Sequence, residues 1–98
     1  MTDETLKVRE MVETYFDQHA RTYIVNQDVI DWERDHIVNI GTSIMCTKWE
    51  IGPHGGGFVQ AVVDNNLERA VGRADKVNLQ VLPFYVYMMN NLGYMSLT

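Results

Sequence analysis

The sequence predicts an all-α fold: a small bundle of four to five helices, forming a single domain over residues 1–98. Of these 98 residues, 46% are apolar and 21% are charged, which is the composition of one small globular domain. Apolar residues recur at helical spacing through most of the chain. Five of the nine glycine and proline residues lie within residues 52–57, where they separate the helical segments.

The first predicted helix spans residues 3–20. Thr2 or Asp3 is suited to cap its first turn, and Glu4 lies where a carboxylate favours a helix N-terminus. Residues 21–26 follow, and their three consecutive residues with a preference for extended backbone predict a connector or a short strand. The apolar face of the helix consists of Val8, Met11, Val12, Tyr15, Phe16 and His19.

A second helical region begins at residues 26–28, where Asn-Gln-Asp is a helix start signal. A long helix, or two short helices broken near Gly41, is favoured from there onward. Residues 40–49 are also rich in β-branched side chains, which leaves a strand open for that stretch. The helical interpretation depends on the spacing of Ile30, Ile37, Ile40 and Ile44.

The third region follows the strong breaker at residues 50–57. An apolar stripe runs from Phe58 to Ala74, and an interruption at residues 65–66 predicts a pair of short helices, with Asn66 capping the second. Asp75 is suited to cap a final helix over residues 76–91, which Pro83 should kink. Apolar side chains surround this final helix on nearly every side. It is therefore predicted to be the central core helix, or partly an interface between copies of the chain.

Charge is distributed unevenly along the chain. Residues 1–35 hold nine acidic and four basic residues, a net charge of −5, whereas residues 36–98 balance to zero and residues 77–98 carry no charged side chain. The first third has the wrong sign for binding nucleic-acid phosphates, so generic nucleic-acid binding is disfavoured and a basic partner is favoured. The longest apolar run, residues 81–89, is too short to span a membrane. The single cysteine predicts an intracellular, reducing environment.

No catalytic or metal-binding signature is present in the sequence, which predicts a protein that is not an enzyme and needs no cofactor. Gly-x-Ser-x-Gly is absent, and Cys46 lies among apolar neighbours, where it is expected to be a buried small hydrophobe. His19, His36 and His54 are 17 and 18 residues apart, which is unlike the ligand spacing of a metal site. The glycine run at residues 55–57 lacks the spacing of nucleotide-binding loops.

Six polar residues are the candidates for binding. Three aspartates share one face of the second predicted helix, as a solvated face or as a contact surface for a basic partner. Two arginines four residues apart present two guanidinium groups on one helical face, suited to a carboxylate or phosphate. The alternative is that these arginines tie helices together through Asp75, Glu68 or Asp64. The candidates are Asp28, Asp31, Asp35, Arg69, Arg73 and Asp75.

The second half of the chain contains a spaced pattern of short motifs. The pattern consists of Gly-Gly-Phe at residues 56–58, Asn-Asn-Leu at 65–67, Gly-Arg-Ala-Asp at 72–75, and Tyr87 and Asn90 in the last predicted helix. Over residues 54–91 it resembles a small helical protein family of tailed bacteriophages and prophages, in which Asp is frequent at the position of Asn66. The resemblance implies a helical phage accessory protein and attaches no catalytic activity to it.

Together these observations predict a non-enzymatic phage accessory protein that binds a host or phage macromolecule. Such a protein would act as an inhibitor, either in host takeover or against host defence. Its expected location is the cytoplasm of an infected bacterial host. Two alternatives stay open. One is a small module that binds an anionic ligand or nucleotide, and the other is a structural homo-oligomer formed through the apolar C-terminal helix.

Overall fold

The chain folds into six helices joined by short connectors, in a computed structural model that describes residues 2–93. None of these residues lies in a strand, which confirms the all-α prediction. The count exceeds the expected four to five because the second predicted region forms two separate helices, while the pair of short helices predicted for the third region is present. The helices are α1 (Asp3–Tyr23), α2 (Gln27–Trp32), α3 (Arg34–Lys48), α4 (Gly57–Val63), α5 (Leu67–Arg73) and α6 (Lys76–Leu92).

Polar side chains cap four of the six helices where the sequence predicted helix starts. Thr2 Oγ1 accepts a hydrogen bond from the Thr5 amide at 3.1 Å, and Asn26 Oδ1 accepts one from the Asp28 amide at 3.1 Å. The Asn66 and Asp75 side chains cap α5 and α6 in the same way, at 3.0 and 2.7 Å. Each cap satisfies an amide that the helix itself leaves without a partner.

Two local predictions for the first half are confirmed in part. Of the connector or short strand predicted for residues 21–26, the structure has a connector at residues 24–26, because α1 continues to Tyr23. The helix break lies at Glu33 rather than near Gly41. In one straight helix the buried pair at residues 37–38 would be rotated by about 80° from the pair at residues 29–30, and the break lets both pairs face the core. Residues 40–48 are helical, as favoured.

The core forms where α1, α3 and α6 meet. Phe84 of α6 is fully buried, with its ring centroid 5.5 Å from that of Phe16 in a perpendicular arrangement. Tyr85 contacts Phe58 of α4 in a similar arrangement, at 5.9 Å. One face of α6 is therefore the centre of the core, as predicted. Pro83 lies on its exposed side, and the kink there stays a prediction. Along the described residues, no helix is both long and apolar enough to cross a membrane.

Gly41 of α3 lies close to both α1 and α6. Its replacement therefore tests how tightly these three helices pack. A Cβ atom at this position would lie 2.9 Å from Val12 Cγ1 and 3.3 Å from Met88 Sδ, so Gly41→Ala is expected to destabilise the fold by about 1–3 kcal/mol. Gly72 in α5 has open space around its Cβ position, and Gly72→Ala is expected to stabilise by about 0.5–1 kcal/mol. Urea denaturation of both variants measures the difference, and equal effects would contradict this packing.

Candidate interaction surface

Trp32 is a large aromatic side chain that is almost fully exposed on the described surface. It is the last residue of α2, a short helix anchored by the buried side chains of Val29 and Ile30. Trp32 and Asp28 are four residues apart, so they share one face of α2. Trp32 is 85% exposed, although a tryptophan side chain is strongly buried on average in soluble proteins.

A groove of about 400 Å³ lies beside this indole, between α2 and α6. We call it the Trp32 groove. The side chain of Asn26 donates a hydrogen bond to Gln80 Oε1 at 3.2 Å, which ties the start of α2 to α6 beside the groove. The walls therefore belong to two helices that are held together by a polar contact. The lining residues are Asp28, Val29, Trp32, Glu33, Val77 and Gln80.

The surface around the Trp32 groove is negatively charged and only partly neutralised. Asp31 Oδ1 lies 3.6 Å from Arg21 Nη2. Within residues 2–93, Asp28, Glu33 and Asp35 take part in no ion pair. The nearest basic residue in sequence, Arg34, is engaged elsewhere, because its guanidinium pairs with two carboxylates of α1 at 3.2 and 3.4 Å. Asp28 and Glu33 therefore border the groove without an ion pair among the described residues.

The predicted arrangement of three aspartates on one helical face requires correction. Asp28 and Asp31 lie on α2, but Asp35 follows the break at Glu33 and belongs to α3. All three are exposed. They are therefore separate carboxylates around a bend, and Trp32 lies at that bend.

The arginine candidates do not form the predicted ties between helices. Over residues 2–93, neither Arg69 nor Arg73 lies at ion-pair distance from a carboxylate. Arg73 instead extends over the start of α4, where its Nη1 atom would lie 3.3 Å from a Cβ atom added at Gly57. The Gly-Gly-Phe and Gly-Arg-Ala-Asp motifs therefore meet in space. Glycine at position 57 leaves room for the guanidinium.

Asp75 joins α3 to α6 rather than binding an arginine. One carboxylate oxygen caps α6, and the other lies 3.3 Å from His36 Nε2. That nitrogen is buried, and among the described residues it has no hydrogen-bond partner. One turn further along α6, the buried Asn78 accepts a hydrogen bond from the Tyr85 hydroxyl at 2.9 Å. Asp75 is thus part of the joint between these helices, away from the Trp32 groove lining.

The predictions for a metal site and for Cys46 can be compared with the described residues. No three His, Cys, Asp or Glu side chains of residues 2–93 converge in a way that would hold a metal ion. Cys46 is buried, and its burial raises the pKa of its thiol, although the Thr5 side chain opposes the shift. A raised pKa keeps the sulfur protonated and unreactive at neutral pH.

The chain matches no protein-family model, no curated protein and no solved structure. Of the residues that line the groove, sequence reasoning predicted Asp28 and missed the other five, which are Val29, Trp32, Glu33, Val77 and Gln80. One signal was present: Trp32 does not fit the spacing of the isoleucine stripe and lies between Asp31 and Glu33. An aromatic residue flanked by acidic residues on a polar face is a candidate contact residue.

Proposed function

We propose that this chain is a non-enzymatic interaction protein that binds a basic segment of another macromolecule in the Trp32 groove. The observation that carries the proposal is the 85% exposure of Trp32 beside carboxylates without cationic partners. Tryptophan is the side chain most enriched among residues that dominate binding energy at interfaces. Negative charge around it selects a positively charged partner.

The chemistry favours an arginine or lysine side chain in the groove. A cation placed over the indole face of Trp32 is attracted by the ring, and Asp28 and Glu33 border the same groove. A guanidinium satisfies both demands, because it stacks flat on an aromatic ring and pairs with a carboxylate through two hydrogen bonds. Val29 and Val77 add apolar walls for the methylene groups of the basic side chain.

The partner that we propose is a basic host or phage protein. Proteins with clustered arginine and lysine commonly use them to bind nucleic acid, and an acidic surface competes for the same site. We propose that this competition occurs in the cytoplasm of an infected bacterium, where the chain inhibits a host process, and the sequence resemblance to a phage protein family supports this. Both the phage assignment and the location are parts of the proposal.

Charge removal around the groove provides one test, at Asp28 in its lining and at the nearby Asp31 and Asp35. An arginine nonapeptide serves as the probe, and Trp49→Phe leaves Trp32 as the single fluorescent tryptophan. In that background, replacing Asp28, Asp31 and Asp35 by asparagine is expected to weaken binding about tenfold and to flatten its salt dependence. The measurement is a fluorescence titration at several sodium chloride concentrations.

The matched control removes the same formal charge from another exposed surface. Asp3→Asn, Glu4→Gln and Glu10→Gln change three acidic residues of α1. This variant is expected to bind the nonapeptide within about twofold of the parent protein, because screening limits the reach of distant charges. Equal losses in the two triple variants would mean that net charge alone attracts the peptide, and this would contradict the proposed site.

A further inference from the structure

An apolar stripe runs along the outer face of α6 and continues onto α5. Leu79, Pro83 and Val86 are spaced by four and three residues, so they form one line on the exposed side of α6. Leu67 and Val71 extend the line from α5, and Leu67 is 68% exposed. A shallow groove joins the two helices, lined in part by Leu67, Leu82 and Val86. We call the set Leu67, Val71, Leu79, Pro83 and Val86 the outer stripe.

The area of this surface is sufficient for a weak, specific interface. With the neighbouring Tyr87, which is 48% exposed, the outer stripe presents roughly 400 Å² of apolar surface, within the range in which such patches mark interaction sites. Two such surfaces together with their polar borders approach the roughly 1,000 Å² that a specific interface needs.

The charge distribution identifies a second copy of the chain as the partner. The acidic excess lies within residues 1–35, so like charge opposes self-association through that part of the surface. The outer face of α6 is free of this repulsion, because no charged residue follows Lys76. Lys76 is in the first turn of α6, where the helix dipole repels it. In an antiparallel pair, each Lys76 lies near the C-terminus of the other α6, where the dipole attracts it, and Lys48 of that copy is the other cation at this helix end.

We propose that two copies of this chain associate through their outer stripes, with the α6 helices antiparallel about a two-fold axis near Pro83. Such an interface uses the same patch on both copies, and it brings Leu79 opposite Val86 of the second copy. The proposal does not depend on the Trp32 groove. A chain that binds the peptide as a monomer would support only the Trp32 groove. A chain that forms a dimer but does not bind the peptide would support only the outer stripe.

Molar mass as a function of concentration tests the pairing. Sedimentation equilibrium measures the molar mass of the wild-type chain at concentrations from about 5 to about 500 µM. We expect this mass to rise with concentration from 11.3 kDa toward twice that value. Leu79→Lys with Val86→Lys is expected to remain at the monomer mass throughout. The control variant, Leu6→Lys with Val25→Lys, changes two exposed apolar residues outside the outer stripe and is expected to behave as wild type.

Cross-linking tests the axis directly and does not require charged substitutions. Pro83→Cys is expected to give a covalent dimer with a short bismaleimide, whereas Val25→Cys, at a position that is 96% exposed, is expected to give none. Both variants retain the buried Cys46, so each controls for its reaction. A wild-type mass that stays at the monomer value at 500 µM would overturn the proposal. Equal cross-linking at positions 83 and 25 would overturn the axis.

Discussion

Replacing Trp32 by alanine is expected to weaken binding of a basic partner by about 30-fold or more, while the melting temperature stays within about 2 °C of wild type. The loss corresponds to the roughly 2 kcal/mol or more that truncation of a dominant interface residue costs. The fold is spared because the side chain is 85% exposed and contributes little buried surface. Calorimetric titration with the arginine nonapeptide measures the first effect, and thermal denaturation measures the second.

Trp32→Phe separates the role of the indole from that of general apolarity. Phenylalanine keeps an aromatic face but attracts a cation less strongly than tryptophan, so an intermediate affinity is expected. Val25→Ala is the matched control, because it truncates an apolar residue that is even more exposed, at 96%. If Trp32→Ala bound the peptide as well as Val25→Ala does, Trp32 would have no role in recognition.

The largest expected effect on stability is at Tyr85 in α6. Its side chain is fully buried, its ring contacts Phe58 and Phe84, and its hydroxyl donates to Asn78 at 2.9 Å. Tyr85→Ala is expected to cost about 3–5 kcal/mol, most of the stability of a small domain. Tyr85→Phe isolates the hydroxyl and is expected to cost about 1–3 kcal/mol, because it leaves the buried Asn78 oxygen without its donor. Urea denaturation measures both.

The same residue makes the fold sensitive to alkali. Burial, with a smaller contribution from the nearby Asp75, raises the pKa of the Tyr85 hydroxyl far above its usual value. The folded state thus keeps this proton when the unfolded chain releases it near pH 10, so stability is retained below about pH 10 and falls as the pH rises further. Between about pH 8 and pH 11.5, Tyr85→Phe is expected to lose stability less steeply than wild type. Parallel slopes would contradict this role.

The sequence predicted helix starts well because capping is local. Thr2, Asn26, Asn66 and Asp75 each bond an amide two or three residues away, so the type of residue and its position are enough to place them. The break at Glu33 was missed because it depends on where the core lies. Gly41 suggested a weak point by propensity alone, yet tight packing between α1 and α6 is what places a glycine there.

The charge of the candidate site was predictable, but its shape was not. Counting acidic residues located the negative surface, and Asp28 indeed borders the Trp32 groove. Val77 and Gln80 are far from α2 in sequence, and only the packing of α6 brings them to it. The same limit applies to Asp75, which contacts His36 from 39 positions away along the chain. Pairings across such distances leave no periodic signal in one sequence.

The central claim is that the Trp32 groove binds a basic macromolecule, and a paired affinity capture tests it most directly. Tagged wild-type, Trp32→Ala and Val25→Ala proteins are incubated with nuclease-treated bacterial lysate, and the captured proteins are quantified by mass spectrometry. We expect a stoichiometric basic protein with wild type and with Val25→Ala, and its loss with Trp32→Ala. Capture of the same proteins in equal amounts by all three, or of none by wild type, would contradict the claim.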